Sequence, residues 1–147
     1  MRCCDIWEVF GEGNNLIKEY RYWKLLVSNR ARTLGNSVAI LKRHAERFSD
    51  LTDEEMLDFA ALVRETEAAL KKAFGYDKIN WVMLMMKDRH LHLHIFPRYK
   101  EPRDFAGIRW EDGLGGNPLE LDKKNPPQEV LNQIRDGIRK RLPEHEK

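Results

Sequence analysis

The sequence predicts an α+β domain: an antiparallel sheet of about five strands, one long helix against it, and a C-terminal helix. Three observations predict it. His90-Leu91-His92-Leu93-His94-Ile95-Phe96 alternates polar and apolar residues without a break, as a strand with one buried face does. Thr52 to Gly75 repeats apolar residues at helical spacing between a start signal and a stop signal. Short runs rich in branched and aromatic residues (Arg21 to Ser28, Ser37 to Leu41, Ile79 to Met86) supply further strands.

Taken in order, Met1 to Phe10 is mixed in character, and Gly11-Glu12-Gly13-Asn14-Asn15 reads as a turn. Arg21 to Ser28 and Ser37 to Leu41 form a hairpin across a polar, cationic connection. Arg30, Arg32, Lys42 and Arg43 around it read either as a solvated rim or as cations that attract a polyphosphate. Thr52 is a helix cap with Glu55 three residues on as its capping-box partner, and acids fill the first turn. Met56, Phe59, Ala60, Val63, Leu70 and Phe74 then make the apolar stripe of a helix of about 22 residues, closed by Gly75.

Ile79 to Met86 is apolar nearly throughout and reads as a central strand covered on both faces. Lys87-Asp88-Arg89 is a short turn, and the histidine strand follows at once as its antiparallel partner. Residues 100–126, punctuated by Pro102, Gly107, Gly113, Gly115, Gly116 and Pro118, read as a long irregular loop. Residues 127–142 resume helical spacing through Val130, Leu131, Ile134 and Ile138, with basic residues in the last turns. There is no internal repeat and no linker, so residues 1–147 make one domain.

The 26 basic residues face 24 acidic ones, and a net charge of +2 does not point to a nucleic-acid partner. No apolar run approaches the ~20 residues that span a bilayer, so no membrane partner is expected. The beginning of the chain lacks a signal-peptide pattern, and adjacent Cys3 and Cys4 read as free thiols; the expected compartment is cytoplasmic.

His90, His92 and His94 share one face of their strand, with the outer two Cα atoms ~13 Å apart. Three uses are open: solvated imidazoles at a sheet edge, a metal site, or nucleophilic catalysis in which the middle imidazole attacks. Zinc bonds of ~2.0–2.1 Å demand tight convergence. The spread of the three rings and the adjacency of Cys3 and Cys4 both argue against that, so neither metal nor cofactor is expected.

The same stretch, with Pro97-Arg98 after it, resembles the His-φ-His-φ-His-φ-φ motif of the histidine triad (HIT) family of nucleotide hydrolases and transferases. The resemblance runs from about Leu25 to Tyr99 and is nearest to a bacterial-type subgroup described as diadenosine tetraphosphate hydrolase-like. It implies a HIT-like fold, a nucleotide substrate and a homodimer. It also implies that His92 is the nucleophile of a covalent nucleotidyl-histidine, that His94 contacts the phosphate oxygens, and that His90 supports them. Four tryptophans, at positions 7, 23, 81 and 110, add a weaker reason to expect a dimer.

The rest of the family pattern carries over unevenly. A Gly-His pair common in the family reads Gly35-Asn36, which puts an amide at the nucleotide. Asn29, or Ser28, occupies the region that holds the ribose. Leu25 with Val27, or Ile6 with Phe10, stands where a base would be flanked. Where better-studied branches carry Gly-Gln-Ser/Thr, this chain has Met85-Met86-Lys87-Asp88-Arg89, and Lys87 or Arg89 would have to replace the missing donors. The alternatives are a nucleotide-binding protein with little turnover, or a metal-binding protein using the histidine cluster.

Overall fold

The computed structural model describes residues 5–29, 31–113 and 126–143. Cys3, Cys4, Arg30, Gly115, Gly116 and Pro118 lie outside them. Two short helices, α1 (Ile6–Val9) and α2 (Glu12–Asn15), lead into β1 (Leu16–Glu19), β2 (Trp23–Val27) and β3 (Ser37–Leu41). The long helix α3 (Asp53–Phe74) follows, then β4 (Lys78–Val82) and β5 (His92–Arg98). A small hairpin, β6 (Arg103–Phe105) and β7 (Ile108–Trp110), and helix α4 (Gln128–Arg139) complete the order.

β1 to β5 form one antiparallel sheet in the order β1-β2-β3-β5-β4. The α+β expectation of five strands and a long helix is met. Helix α3 starts and stops as its local signals dictate. The Thr52 side chain accepts from the Glu55 amide while the Glu55 carboxylate accepts from the Thr52 amide. Gly75 closes the helix in the left-handed conformation, at φ 61°.

Period-two alternation sorts each central strand into two layers. On one face Trp23, Leu25, Ala39, Leu41, Leu91, Leu93 and Ile95 pack with Leu62 and Leu70 of α3. The Trp23 indole N–H, buried there, donates to the Glu55 carbonyl at 2.9 Å. On the other face Leu26, Val38 and Ile40 pack under Ile6 and Phe10 of the N-terminal segment. Both faces of the sheet are therefore covered, each buried aliphatic or aromatic side chain contributing roughly 1.5–3 kcal/mol.

Four expectations need correction. Ile79 to Met86 is not a central strand: β4 ends at Val82 and lies at the edge, and Leu84 and Met86 are exposed. The histidine strand begins at His92, not His90, although it is interior, paired with both β3 and β4. Residues 100–126 are not wholly irregular, because Ala106 and Gly107, at φ 53° and 76°, turn the β6–β7 hairpin. Helix α4 ends at Arg139, short of 142, and its apolar residues stay exposed. No helix among the described residues is long and apolar enough to cross a membrane.

Candidate active site

The three histidines are held under the N-terminal segment rather than facing water. The His90 ring, 1% exposed, lies edge-on to Trp7 and to His44, with centroids 5.6 and 5.4 Å away. Phe10 packs against both His92 and His94, at 5.9 and 6.0 Å. The sequence signal for this cover was slight, since Ile6, Trp7 and Phe10 span barely one helical turn.

Hydrogen bonds fix the tautomers. A carbonyl oxygen only accepts, so the ring nitrogen facing one must carry the proton. His90 therefore donates from Nε2 to the Leu41 carbonyl at 2.5 Å. His92 donates from Nδ1 to the His90 main-chain carbonyl at 2.6 Å. That leaves Nε2 of His92 with a free lone pair, on a ring that lines a cleft of about 280 Å³.

The charges of the flanking imidazoles follow from burial. Desolvation holds His90 below its ordinary pKa, and His44 adds a smaller push the same way. Burial, then the neighbouring His92 and Arg32, push His94 down to about 4. His94 is thus neutral near pH 7, with its ring 5.0 Å from His92 and stacked on Phe96 at 6.0 Å. A neutral imidazole offers one donor and one acceptor.

The remaining expected residues divide. Asn29 lines the cleft, and its Nδ2 donates to the Val9 carbonyl at 2.8 Å, leaving its oxygen for a ligand hydroxyl. Lys87 lines the opposite wall from an exposed turn, which Asp88 anchors by accepting from the His90 amide at 3.0 Å. Asn36 also borders the cleft, but its amide is engaged within the protein. It donates to the Ile95 carbonyl at 2.9 Å, accepts from the Arg32 amide at 3.1 Å, and is 2% exposed. Leu25 is not part of the cleft: its place in β2 turns it to the α3 side, while Phe10 supplies the aromatic wall.

Among the cations of the β2–β3 region, Arg43 is paired to buried Glu55 at 2.8 Å and Lys42 to Glu19 at 3.3 Å. Arg32 instead lines the cleft, and no ion pair engages it among the described residues. Its loop is seated on α3 by Gly35, at φ 85°, where a Cβ would stand 3.0 Å from the Phe74 ring. Composition alone gave no way to separate Arg32 from the other three. The far wall is Leu84 to Asp88, with Met85 held at φ 53°. No group of three His, Cys, Asp or Glu side chains among the described residues is placed to hold a metal ion.

Residues 14–101 match a family model described as the HIT domain. An uncharacterized HIT-like protein of Methanocaldococcus jannaschii is 35% identical over 74 residues, covering 47% of this chain and 57% of that protein. The chain thus spans little more than half the length of that relative. Among solved structures, a member of the HIT family from Bacillus subtilis superposes with a TM-score of 0.72 at 21% identity, covering 99% of this chain and 100% of that one. A HIT family protein from Bacillus anthracis gives 0.70 at 19% identity, covering 97% and 98%. At such identities these two structures speak for the fold.

Proposed function

Because this chain belongs to the HIT domain family, we propose that it is a nucleotide hydrolase or nucleotidyl transferase working at the α-phosphate of a nucleoside phosphate derivative through His92. The observation that carries this reading is the bond from His92 Nδ1 to the His90 carbonyl, which leaves Nε2 as an oriented base beside the cleft.

The Nε2 lone pair attacks the α-phosphorus, and the bond from phosphorus to the leaving oxygen or nitrogen breaks. The leaving group departs with that electron pair and takes up a proton. Water then attacks the nucleotidyl-histidine, the phosphorus–nitrogen bond breaks, and the pair returns to His92 with release of the nucleoside monophosphate and a proton. His94, neutral, donates to a phosphate oxygen. Arg32 and Lys87 offset the charge on that phosphate, and Asn29 accepts from the ribose. Substrates that fit are a nucleoside phosphoramidate or a dinucleoside polyphosphate such as diadenosine tetraphosphate.

The test is to incubate the protein with an AMP phosphoramidate and with diadenosine tetraphosphate, quench in alkali, and map the nucleotidyl adduct by peptide mass. The adduct is expected on His92, and His92→Ala should lower turnover by ~10⁶ while folding normally. Retention of more than a tenth of the activity by His92→Ala would refute the assignment. A nucleotide-binding protein with little turnover is the second reading. It is favoured by the apolar, exposed Met86 beside the cleft, within the stretch Met85 to Arg89 where the resemblance would have Gly-Gln-Ser/Thr.

A further inference from the structure

The connection between β2 and β3 carries Arg32 into the wall of the cleft. Main-chain bonds close that connection: the Ser28 amide donates to the Asn36 carbonyl at 2.9 Å, and the Asn36 amide donates to the Thr33 carbonyl at 3.1 Å. The Tyr99 hydroxyl, from the end of the histidine strand, donates to the Leu34 carbonyl at 2.7 Å. Thr33 and Leu34 are buried, whereas Arg32 beside them is exposed, on a long side chain with many rotamers. Where its guanidinium works therefore depends on where its peptide is held.

That peptide is held by Asn36. The Arg32 N–H donates to Oδ1 of Asn36 at 3.1 Å, and Nδ2 of Asn36 donates to the Ile95 carbonyl at 2.9 Å. Ile95 lies between His94 and Phe96 on β5, so one side-chain amide ties the Arg32 peptide to the strand beside His94. Neither partner can change role, since the N–H only donates and the carbonyl only accepts. A carboxylate at position 36 would face the Ile95 oxygen with another oxygen, and an apolar side chain would leave both partners unpaired. Asn36 is 2% exposed, and its main-chain N–H and C=O, its Oδ1 and its Nδ2 each have a partner inside the protein. Arg32 and His94 both line the cleft, and the Arg32 charge helps to hold the His94 pKa down.

We propose that Asn36 is a positioning residue for phosphate: it makes no contact with the ligand and sets, through the Arg32 peptide, where the Arg32 guanidinium meets a phosphate bound beside His94. The inference rests on the reading of the cleft as a nucleotide site. It moves Asn36 from the ligand, where the resemblance would put an amide, to the support of the residue that holds the phosphate. Fixing the peptide in advance lowers the cost of ordering the arginine when the phosphate arrives.

Calorimetry with AMP and with adenosine tests this on the whole chain through a double-mutant cycle. Asn36→Ala should weaken AMP binding by about tenfold, no more than Arg32→Gln does, and leave adenosine binding within about twofold of wild type. Added to Arg32→Gln, it should cost at most about twofold more, because the group it positions is already gone. Equal losses for AMP and adenosine would overturn the proposal, since a merely structural role weakens both alike. Full additivity with Arg32→Gln would also overturn it, by showing that Asn36 acts on the ligand without Arg32. So would unchanged AMP binding in Asn36→Ala. Should Asn36→Ala fail to fold, Asn36→Ser, whose hydroxyl can serve one of the two partners, runs through the same cycle with the same criteria. A wild-type chain that binds neither AMP nor adenosine would overturn the nucleotide reading itself, and the proposal with it.

Discussion

Nδ1 of His92 and the main-chain oxygen of His90 lie 2.6 Å apart. The group that orients the His92 ring is therefore main chain, and no side-chain substitution at position 90 removes it. His90→Ala should keep the His92 tautomer while losing a buried ring and its bond to Leu41. Urea unfolding should show a loss of ~2–4 kcal/mol, the scale of a large-to-small change in a core. Activity in the folded fraction should fall far less than in His92→Ala, and an equal fall in both would mean the ring itself takes part.

His94 gives a pH dependence of definite sign. Its ordinary pKa of 6.5 applies to the unfolded chain and about 4 to the folded one. Between those values the unfolded chain binds more protons, so stability falls as the pH drops from 6.5 toward 4 and levels off below. The slope owed to His94 approaches ~1.4 kcal/mol per pH unit. His90, held down by the same desolvation, contributes in the same direction. Unfolding curves of wild type and His94→Asn across this range isolate the His94 share, and parallel curves would contradict the assignment.

Arg32 is expected to hold phosphate rather than base or sugar. Arg32→Gln should weaken AMP binding by roughly ten- to a hundredfold, the range of one charge-assisted bond, and leave adenosine binding unchanged. Arg32→Lys should recover only part of the loss, because an ammonium lacks the planar fork. Calorimetry with both ligands decides it: equal losses for AMP and adenosine would mean that the loop, not the charge, had been disturbed.

Self-association is the expected fate of the outer face of α4. Val130, Leu131, Ile134 and Ile138 are 41–58% exposed at helical spacing. A homodimer should sediment at micromolar concentration, and Ile134→Glu should shift it toward the monomer. A wild-type protein that sediments as a monomer would rule this out.

The elements that were legible in the sequence carry their signals locally. Thr52, Glu55 and Gly75 mark α3 within a few residues of its ends, and the histidine strand shows its two faces by alternation alone. β4 was misplaced because apolarity does not say what covers a residue. Trp81 is half-buried because its indole N–H reaches Glu67 on α3 at 2.8 Å and its ring meets Phe59, and Val82 faces a cavity; neither faces a further strand. β1 was unseen because its residues are exposed throughout, and its pairing is set by β2. Leu25 and Leu26 differ by one position, and only the register of β2 against β3 decides which faces the side of His92 and His94. Asn36 stood at the right place for a ligand contact, but only the folded loop shows its amide spent on Ile95 and Arg32.

Phe10 meets His92 and His94 from far away along the chain. A ribosome makes Phe10 before His92 and His94, so the nascent protein carries an uncovered apolar turn until β5 is made. No partial chain that stops short of β5 has the cleft lined by His92 and His94. Ligand present during translation can therefore assist only the final closure of the fold, and a drug or analogue aimed at the cleft will rescue unstable variants after release rather than before.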